Sequence, residues 1–477
     1  MQSQENRRSF LGKMAAATLF TCTPIFHCAR TRKKPNILFI AVDDLRPQLG
    51  CYGHAQMKSP NIDRLASEGF LASRSYCNVP VCGASRASLL TGMRPKRDRF
   101  VNYHTWADKD LPGNLSLPRY LKEQGYYTLS NGKVYHHQTD GEGSWSEAAW
   151  RPTNPDNNWR DYLSETNQRI SRAHPDHRGL PYEAMEVEDN AYFDGKIADK
   201  TIEDLKRLRD KDQPFFLAAG FLKPHLPFNA PQKYWDLYDR ETINMADNPF
   251  RPQNAPDAAM HNWGELRNYA GIPPTGPLDE NLARTLVHGY YACVSYTDAQ
   301  IGRILDTLDE LDLSQNTIVI LWGDHGWNLR EHGLWCKHCN FNTSLQAPIL
   351  LRAPGYQGGI ESDGLIEFVD IYPTLCELAG LEIPEHCQGK SFVPLIKKPD
   401  QSWKSFVHSR FHNGESIRTD RHLYTEWHDD DGKMYARMLY DHVNDPKENV
   451  NISEDPTNQT LVAELSKLLN EHIQSTP

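Results

Sequence analysis

Two apolar segments, far apart in the sequence, each end in acidic residues. Residues 36–42 precede Asp43 and Asp44, and residues 317–323 precede Asp324 and His325. A short, continuous apolar run is typical of a strand that is buried on both faces, as in a parallel sheet. Ligands of such sheets bind at the carboxyl ends of the strands. We therefore expect a mainly parallel sheet that carries these acidic residues at one edge.

Helical segments alternate with further apolar segments along the chain. Helical spacing covers residues 61–69, 117–125, 194–209 and 282–311, and strand-like segments cover residues 126–130 and 214–221. This alternation predicts the α/β class, as a sandwich with a central, mainly parallel sheet. Residues 140–186 and 234–278 are polar and show little periodicity. We expect them to be long insertions over one face, a common location for substrate recognition.

The last part of the chain has a different pattern. Residues 416–419, 422–427 and 436–441 read as antiparallel strands, and residues 459–472 read as a helix. We therefore predict a catalytic domain at 35–398 and a small C-terminal α+β subdomain, with an antiparallel sheet, at 399–477.

Residues 1–34 resemble an export signal followed by a basic linker. Arg7 and Arg8 precede a moderately apolar segment, residues 14–26, which is typical of a bacterial twin-arginine signal. We expect export to the periplasm or the extracellular space. The apolar segment is shorter than the roughly 20 residues that span a bilayer, so no stable membrane span is expected. An amphipathic helix, a disordered tail, or lipidation at Cys22 or Cys28 are the alternatives.

The net charge of −10 argues against a nucleic-acid partner, because no strongly basic field is available to bind a polyanion. Sulfated or carboxylated sugars would need a local cluster of basic side chains.

Seven of the ten cysteines lie outside both residues 1–34 and the motif around Cys82, and seven cannot all pair. Cys376 and Cys387 form the most plausible short disulfide loop. Cys336 and Cys339 lack a neighbouring second ligand pair, which disfavours a zinc site.

The acidic strand ends predict a metal site. Asp43, Asp44, Asp324 and His325 at one sheet edge would repel one another without a cation between the carboxylates. Oxygen-rich ligation favours a hard ion, Ca²⁺ or Mg²⁺. Taken singly, each acidic pair could instead be a turn or a helix cap.

Residues 82–92, CGASRASLLTG, form a motif that is similar to the signature of the type I sulfatases. Other segments match that family in order and spacing, namely 42–44, 59–66, 132–136, 223–228, 323–327 and 331–337. Together they resemble the iduronate-2-sulfatase subgroup, which implies an alkaline-phosphatase-like sandwich. Ala84 stands where the family more often has proline. His325 stands where many sulfatases have asparagine, but the subgroup shares this histidine.

The resemblance implies a role for each matching position. A maturation enzyme would oxidise Cys82 to formylglycine, whose hydrate attacks the sulfate sulfur. One Ca²⁺ ion would be bound by Asp43, Asp44, Asp324, His325 and the modified Cys82. The sulfate charge would be neutralised by Ca²⁺, Arg86, Lys133 and Lys337. His225, with Lys337, would protonate the leaving group, and His136 would be the base that releases sulfate.

The predicted function is hydrolysis of a sulfate ester on a carbohydrate, with a 2-O-sulfated uronic acid as the preferred substrate. Three alternatives stay open: another sulfated polysaccharide such as an algal one, a phosphomonoester or phosphonate hydrolase, and a sugar-binding pseudosulfatase whose Cys82 is not oxidised. His332 is a candidate for orienting neighbouring groups. Of Trp327 and Trp335, we expect one in the core and one against the sugar. The oligomeric state is not predicted.

Overall fold

The structure is a computed structural model that describes residues 34–476, all within one compact unit. The predicted export signal therefore lies, except for Lys34, outside the described residues. Within residues 34–476, no helix has both the length and the apolar character needed to cross a bilayer.

The strands include the apolar segments that the sequence indicated. In chain order they are β1 (Asn36–Val42), β2 (Phe70–Ala72), β3 (Ser75–Tyr76), β4 (Tyr127–Gly132), β5 (Tyr182–Met185), β6 (Phe215–Phe221), β7 (Phe228–Pro231), β8 (Thr317–Gly323) and β9 (Asn328–Leu329). They continue with β10 (Trp335–Cys336), β11 (Ile349–Arg352), β12 (Ile360–Ser362), β13 (Ile366–Glu367), β14 (Phe406–Phe411), β15 (Gly414–Thr419), β16 (His422–His428) and β17 (Met434–Asp441).

The α-helices alternate with the main strands. They are α1 (Pro60–Ser67), α2 (Cys82–Thr91), α3 (Ala107–Asp110), α4 (Leu117–Glu123), α5 (Glu165–Ala173), α6 (Phe193–Leu208) and α7 (Gln232–Trp235). The remaining helices are α8 (Gly264–Arg267), α9 (Glu280–Glu310), α10 (Asn342–Leu345), α11 (Ile371–Leu378), α12 (Val393–Lys397) and α13 (Gln459–Ser475).

The central sheet has seven strands in the order β12-β2-β11-β8-β1-β6-β4. β4, β6, β1 and β8 are consecutive and parallel, whereas β11 runs antiparallel to both of its neighbours. Alternate residues of β1 pack on opposite faces: Leu38 and Ile40 lie in one hydrophobic cluster, Ile37 and Phe39 in the other. Helices α6 and α9 cover the first face, and α2, α4 and α11 cover the second. The predicted α/β sandwich with a mainly parallel sheet is confirmed.

The C-terminal antiparallel sheet is also confirmed, with the order β14-β15-β16-β17. Its buried Ile417, Tyr424 and Leu439 pack against Leu465 and Leu469 of α13. The sequence reading missed β14, and it missed α5 and β5 inside the first polar insertion. The domain boundary near residue 398 stays a prediction.

The predicted Cys376–Cys387 disulfide is not formed, and both side chains are free thiols. Burial raises the pKa of both thiols, that of Cys387 to about 12, so both stay protonated. Backbone contacts hold the loop instead, because the amide of Gln388 donates to the carbonyl of Gly92 at 2.9 Å.

Candidate active site

The four parallel strands end side by side, and this register assembles the site. Val42 pairs with Gly323 on one side and with Phe221 on the other, and Gly132 pairs with Gly220. The chain therefore delivers residues from four separate segments to one sheet edge: Asp43 and Asp44 after β1, Lys133 after β4, His225 after β6, and Asp324 and His325 after β8. The convergence expected from the acidic strand ends is confirmed.

Gly132 allows Lys133 to turn over this edge. Its φ of +76° lies in the left-handed region, and a Cβ atom there would lie 2.1 Å from the carbonyl oxygen of Gly220. A larger residue would need both a strained backbone and a shift of β6. The close approach of the ends of β4 and β6 therefore requires glycine at position 132.

The signature motif forms helix α2, with Cys82 as its first residue. The side chain is almost fully buried, and burial followed by the charge of Asp43 raises the pKa of its thiol to about 11. The positive end of a helix dipole lies at this position and favours an anionic ligand. An unmodified Cys82 would stay protonated and would be a poor nucleophile at neutral pH.

Four side chains form a candidate metal centre. One ligand atom from each of Asp43, Asp44, Cys82 and His325 lies within 4.8 Å of the others. His325 Nε2 lies 3.3 Å from Cys82 Sγ and 3.4 Å from Asp44 Oδ1. Asp324 lies beside this group, with its Oδ1 atom 3.5 Å from His325 Nε2. All five predicted ligands are thus neighbours. Asp43, Asp44, Cys82 and His325 form the tightest group.

The donor set fits a divalent cation. His325 Nδ1 lies 2.9 Å from the carbonyl oxygen of Gly326 and must donate to it, which leaves the Nε2 lone pair facing the Asp44 carboxylate. Burial raises the pKa of Asp44 to about 8, despite the opposing charge of Lys337. A lone pair and buried carboxylates that face one another are stabilised by a cation, and the oxygen donors suit a hard one.

Arg86 lies beneath the carboxylates and is fully buried. Its Nε donates to Asp324 Oδ2 at 2.9 Å, and one terminal nitrogen lies 3.4 Å from Asp43 Oδ1. The other terminal nitrogen donates to the backbone carbonyls of Lys133 and Val134. Through these contacts, the guanidinium of Arg86 holds the strand ends together beneath the cavity.

Two lysines join the acidic group to the open side of the site. Lys133 Nζ contacts the Asp43 carboxylate, and this ammonium holds the pKa of Asp43 well below its usual range even though burial acts in the opposite direction. Lys337 Nζ lies 3.0 Å from Asp44 Oδ1 and 2.9 Å from the Glu265 carboxylate. Asp44, His225 and Glu265 also approach one another, but Lys337 already supplies a positive charge there.

Two histidines that line the cavity, His225 and His136, differ in their surroundings. His225 Nε2 lies 3.0 Å from Glu265 Oε1, and its Nδ1 lies 2.6 Å from the carbonyl oxygen of Leu226. Burial, and then the charge of Lys133, lowers the pKa of His136 far below its usual range. Both ring nitrogens of His225 therefore face oxygen acceptors, whereas the ring of His136 is neutral.

A cavity of about 500 Å³ opens above these groups. The predicted residues that line it are Cys82, Lys133, His136, His225 and Lys337. Seven lining residues that the sequence reading did not single out come from the two polar insertions: Arg151, Trp159, Arg160, Arg178, Glu265, Asn268 and Tyr269. The polar composition of these insertions predicted that they take part in substrate recognition, but it did not identify the residues that do so.

Two weaker predictions concern Trp327, Trp335 and His332. Trp327 and Trp335 are both core residues, 1% and 3% exposed, so the expectation that one of them faces the sugar is wrong. Trp159 and Tyr103, at 41% and 54% exposure, are the exposed aromatic residues of the cavity wall. His332 is buried against the ring of Phe341 and is outside the cavity lining.

Comparison with known proteins assigns the site to a family. The sulfatase family profile matches residues 35–381, and the profile of the N-sulphoglucosamine sulphohydrolase C-terminal region matches residues 330–475. The chain is 34% identical over 414 residues to the iduronate 2-sulfatase of Homo sapiens, which covers 78% of this chain and 74% of that protein. The chain belongs to the sulfatase family. As a sulfatase, it is a sulfuric ester hydrolase, and the resemblance to the iduronate-2-sulfatase subgroup is confirmed.

Solved structures agree with the fold of a sulfatase. A protein in complex with its substrate D-glucosamine-2-N,6-O-disulfate superposes with a TM-score of 0.75 at 22% identity, over 93% of this chain and 98% of that one. A 2-O glycosaminoglycan sulfatase superposes with a TM-score of 0.72 at 23% identity, over 93% of this chain and 92% of that one. At this identity the similarity concerns the fold.

Proposed function

We propose that this sulfatase removes sulfate from a carbohydrate, with the 2-O-sulfate of a uronic acid as its preferred substrate. The proposal includes oxidation of Cys82 to formylglycine and one bound Ca²⁺ ion. The observation that carries it is the position of Cys82, which begins helix α2, belongs to the candidate metal group and lines the cavity. The only chemistry that uses all three features is that of an activated nucleophile beside a cation.

In the first step, formylglycine at position 82 would supply, as its hydrate, the oxygen nucleophile that attacks sulfur. The bond between sulfur and the sugar oxygen breaks, and His225 gives its proton to that oxygen. Lys133 and Lys337, which line the cavity, stabilise the charge on the sulfate oxygens. Ca²⁺ held by Asp43, Asp44, Asp324, His325 and the modified Cys82 would withdraw further negative charge.

In the second step, His136 takes the proton of the remaining hydroxyl group. Loss of this proton would let sulfate leave, because the carbon–oxygen bond to sulfate would break as the aldehyde of residue 82 re-forms. Burial, followed by the charge of Lys133, lowers the pKa of His136, so the ring is neutral before this step. Arg86 acts through Asp43 and Asp324, whose positions it fixes. Glu265 holds His225 and Lys337 in their positions.

The names of the relatives support the choice of substrate. The human relative is an iduronate 2-sulfatase, and one structural neighbour is a 2-O glycosaminoglycan sulfatase. An exposed aromatic side chain at the cavity mouth, such as Trp159, suits stacking against a sugar ring. We further propose export, from the Arg7-Arg8 pattern, and maturation by a formylglycine-generating enzyme, from the motif around Cys82.

Peptide mass spectrometry of protein made in a host with the maturation enzyme tests the formylglycine proposal. We expect the peptide that contains Cys82 to be lighter than its unmodified sequence. An unmodified Cys82 in protein from the native host would instead support the pseudosulfatase alternative. Assays of aryl sulfates against aryl phosphates and phosphonates then distinguish a sulfatase from a hydrolase of phosphorus esters.

A further inference from the structure

We propose that Arg160 and Arg178 form a second anion site in the cavity, which binds a negatively charged group of the substrate other than the sulfate that is cleaved. The inference rests on the proposed function, because it assigns the recognition of that substrate to two residues of this chain. Both arginines belong to the first polar insertion, and neither lies in a segment that matched the family motifs.

Arg160 is held rigidly but keeps its charge available. It is only 8% exposed, lines the cavity, and places its guanidinium carbon 4.5 Å from the centre of the Trp159 ring. Its backbone carbonyl accepts a hydrogen bond from Asn229 Nδ2 at 2.9 Å, which fixes the position of the residue. Its buried Nε has no hydrogen-bond partner among the described residues. A buried, unpaired donor of this kind is costly unless a ligand satisfies it.

Arg178 faces the same part of the cavity. One terminal nitrogen donates to the backbone carbonyl of Glu265 at 3.1 Å, and its guanidinium carbon lies 5.0 Å from the centre of the Tyr269 ring. Its Nε is also buried and unpaired within the described part of the chain. Burial raises the pKa of Tyr269 to about 12, and the charges of Arg160 and Arg178 oppose that shift.

The carboxylates of the site leave these two charges unbalanced. Within residues 34–476, neither guanidinium lies within 4.0 Å of a carboxylate oxygen. Glu265 is the one carboxylate in the cavity lining, and it pairs with His225 at 3.0 Å and Lys337 at 2.9 Å. The acidic metal group is likewise engaged by Lys133, Lys337 and Arg86.

Two basic side chains that line one cavity and are stacked on aromatic rings suit a planar or tetrahedral oxyanion. Guanidinium groups bind carboxylates and sulfates with charge-assisted hydrogen bonds, and stacking fixes the plane of the group before the ligand arrives. The carboxylate of a uronic acid and a second sulfate ester share this chemistry. The cavity then binds two negative groups of the substrate. The sulfate that is cleaved lies at Cys82, and the second group lies at Arg160 and Arg178.

The test measures binding separately from turnover. In the Cys82→Ala background, isothermal titration calorimetry compares three disaccharides: a 2-O-sulfated uronate, its carboxyl-reduced analogue, and that analogue with a second sulfate. Each is measured against Arg160→Gln, Arg178→Gln and the matched control Arg169→Gln, an exposed position on α5 of the same insertion. Thermal unfolding verifies that each variant is folded.

We expect each cavity variant to weaken binding of the uronate by about tenfold, with little change for the carboxyl-reduced analogue. Arg160→Lys should restore part of the loss, since it keeps the charge but not the planar fork. A selective loss only with the doubly sulfated analogue would assign the site to a second sulfate. Equal losses on all three ligands, or losses no larger than those of Arg169→Gln, would overturn the second anion site.

The proposed function fails in a different way. Protein with verified formylglycine that releases no sulfate from any saccharide would contradict the reaction, while the binding comparison in the Cys82→Ala background would still decide the role of the two arginines.

Discussion

Replacing Glu265 by glutamine tests how the leaving-group acid is held in place. The carboxylate accepts from His225 Nε2 at 3.0 Å and from Lys337 Nζ at 2.9 Å, and these two cations hold its pKa well below the usual range although burial opposes them. Glutamine keeps the shape and one acceptor oxygen but removes the charge. A charge-assisted hydrogen bond is stronger than a neutral one by about 1 kcal/mol, so the two contacts lose about 2 kcal/mol together.

This loss corresponds to about a 30-fold decrease in kcat/KM for a sugar sulfate, whose alkoxide leaving group needs a proton. For 4-nitrophenyl sulfate, the leaving group is good and needs no proton, so only the weakened contact to Lys337 affects the rate. We expect a loss of about 1 kcal/mol, which is about a fivefold decrease in kcat/KM. The assay is steady-state sulfate release from both substrates, with His225→Gln as the reference for loss of the acid. Equal decreases in kcat/KM for the two substrates would refute the role of Glu265 in holding His225. An unchanged rate on the sugar sulfate would refute it as well.

Three further results are expected. Removing divalent ions with a chelator should abolish sulfate release, and added Ca²⁺ should restore it; full activity after exhaustive chelation would contradict a metal site at Asp43 and Asp44. Gly132→Ala should lower the free energy of unfolding by about 3 kcal/mol, against about 1 kcal/mol for the control Gly113→Ala, which has a similar φ of +74° but open space around it. His136→Gln should lower kcat by about 100-fold and evenly between about pH 5 and 8, because burial lowers the pKa of His136 and the ring stays neutral there; a loss confined to the acidic end would contradict this role.

The sequence predicts the sheet and the acidic part of the site because both depend on local patterns. The apolar segments at 36–42 and 317–323 are typical of buried strands, and parallel neighbours bring Asp43 and Asp324 to one edge. Helix α9 was predicted for a related reason, since its periodicity extends over many turns.

The wall of the cavity could not be predicted in the same way. Glu265 meets Lys337 across 72 residues of sequence, and Arg178 meets the carbonyl of Glu265 across 87. Both arise from insertions without periodicity, in which charge and aromatic content indicate recognition but not partners. Arg86 shows a similar limit: the motif marks the residue, but only the structure shows that its guanidinium lies under the carboxylates, in contact with Asp324.

Sulfate release from a panel of defined sulfated disaccharides is the decisive measurement of the reaction. The panel differs only in the position of the sulfate, and protein with verified formylglycine is compared with Cys82→Ala. We expect free sulfate from the 2-O-sulfated uronate at a rate well above the other positions, and none with Cys82→Ala. No sulfate from any saccharide, or the same release with Cys82→Ala, would contradict a formylglycine sulfatase built on this site.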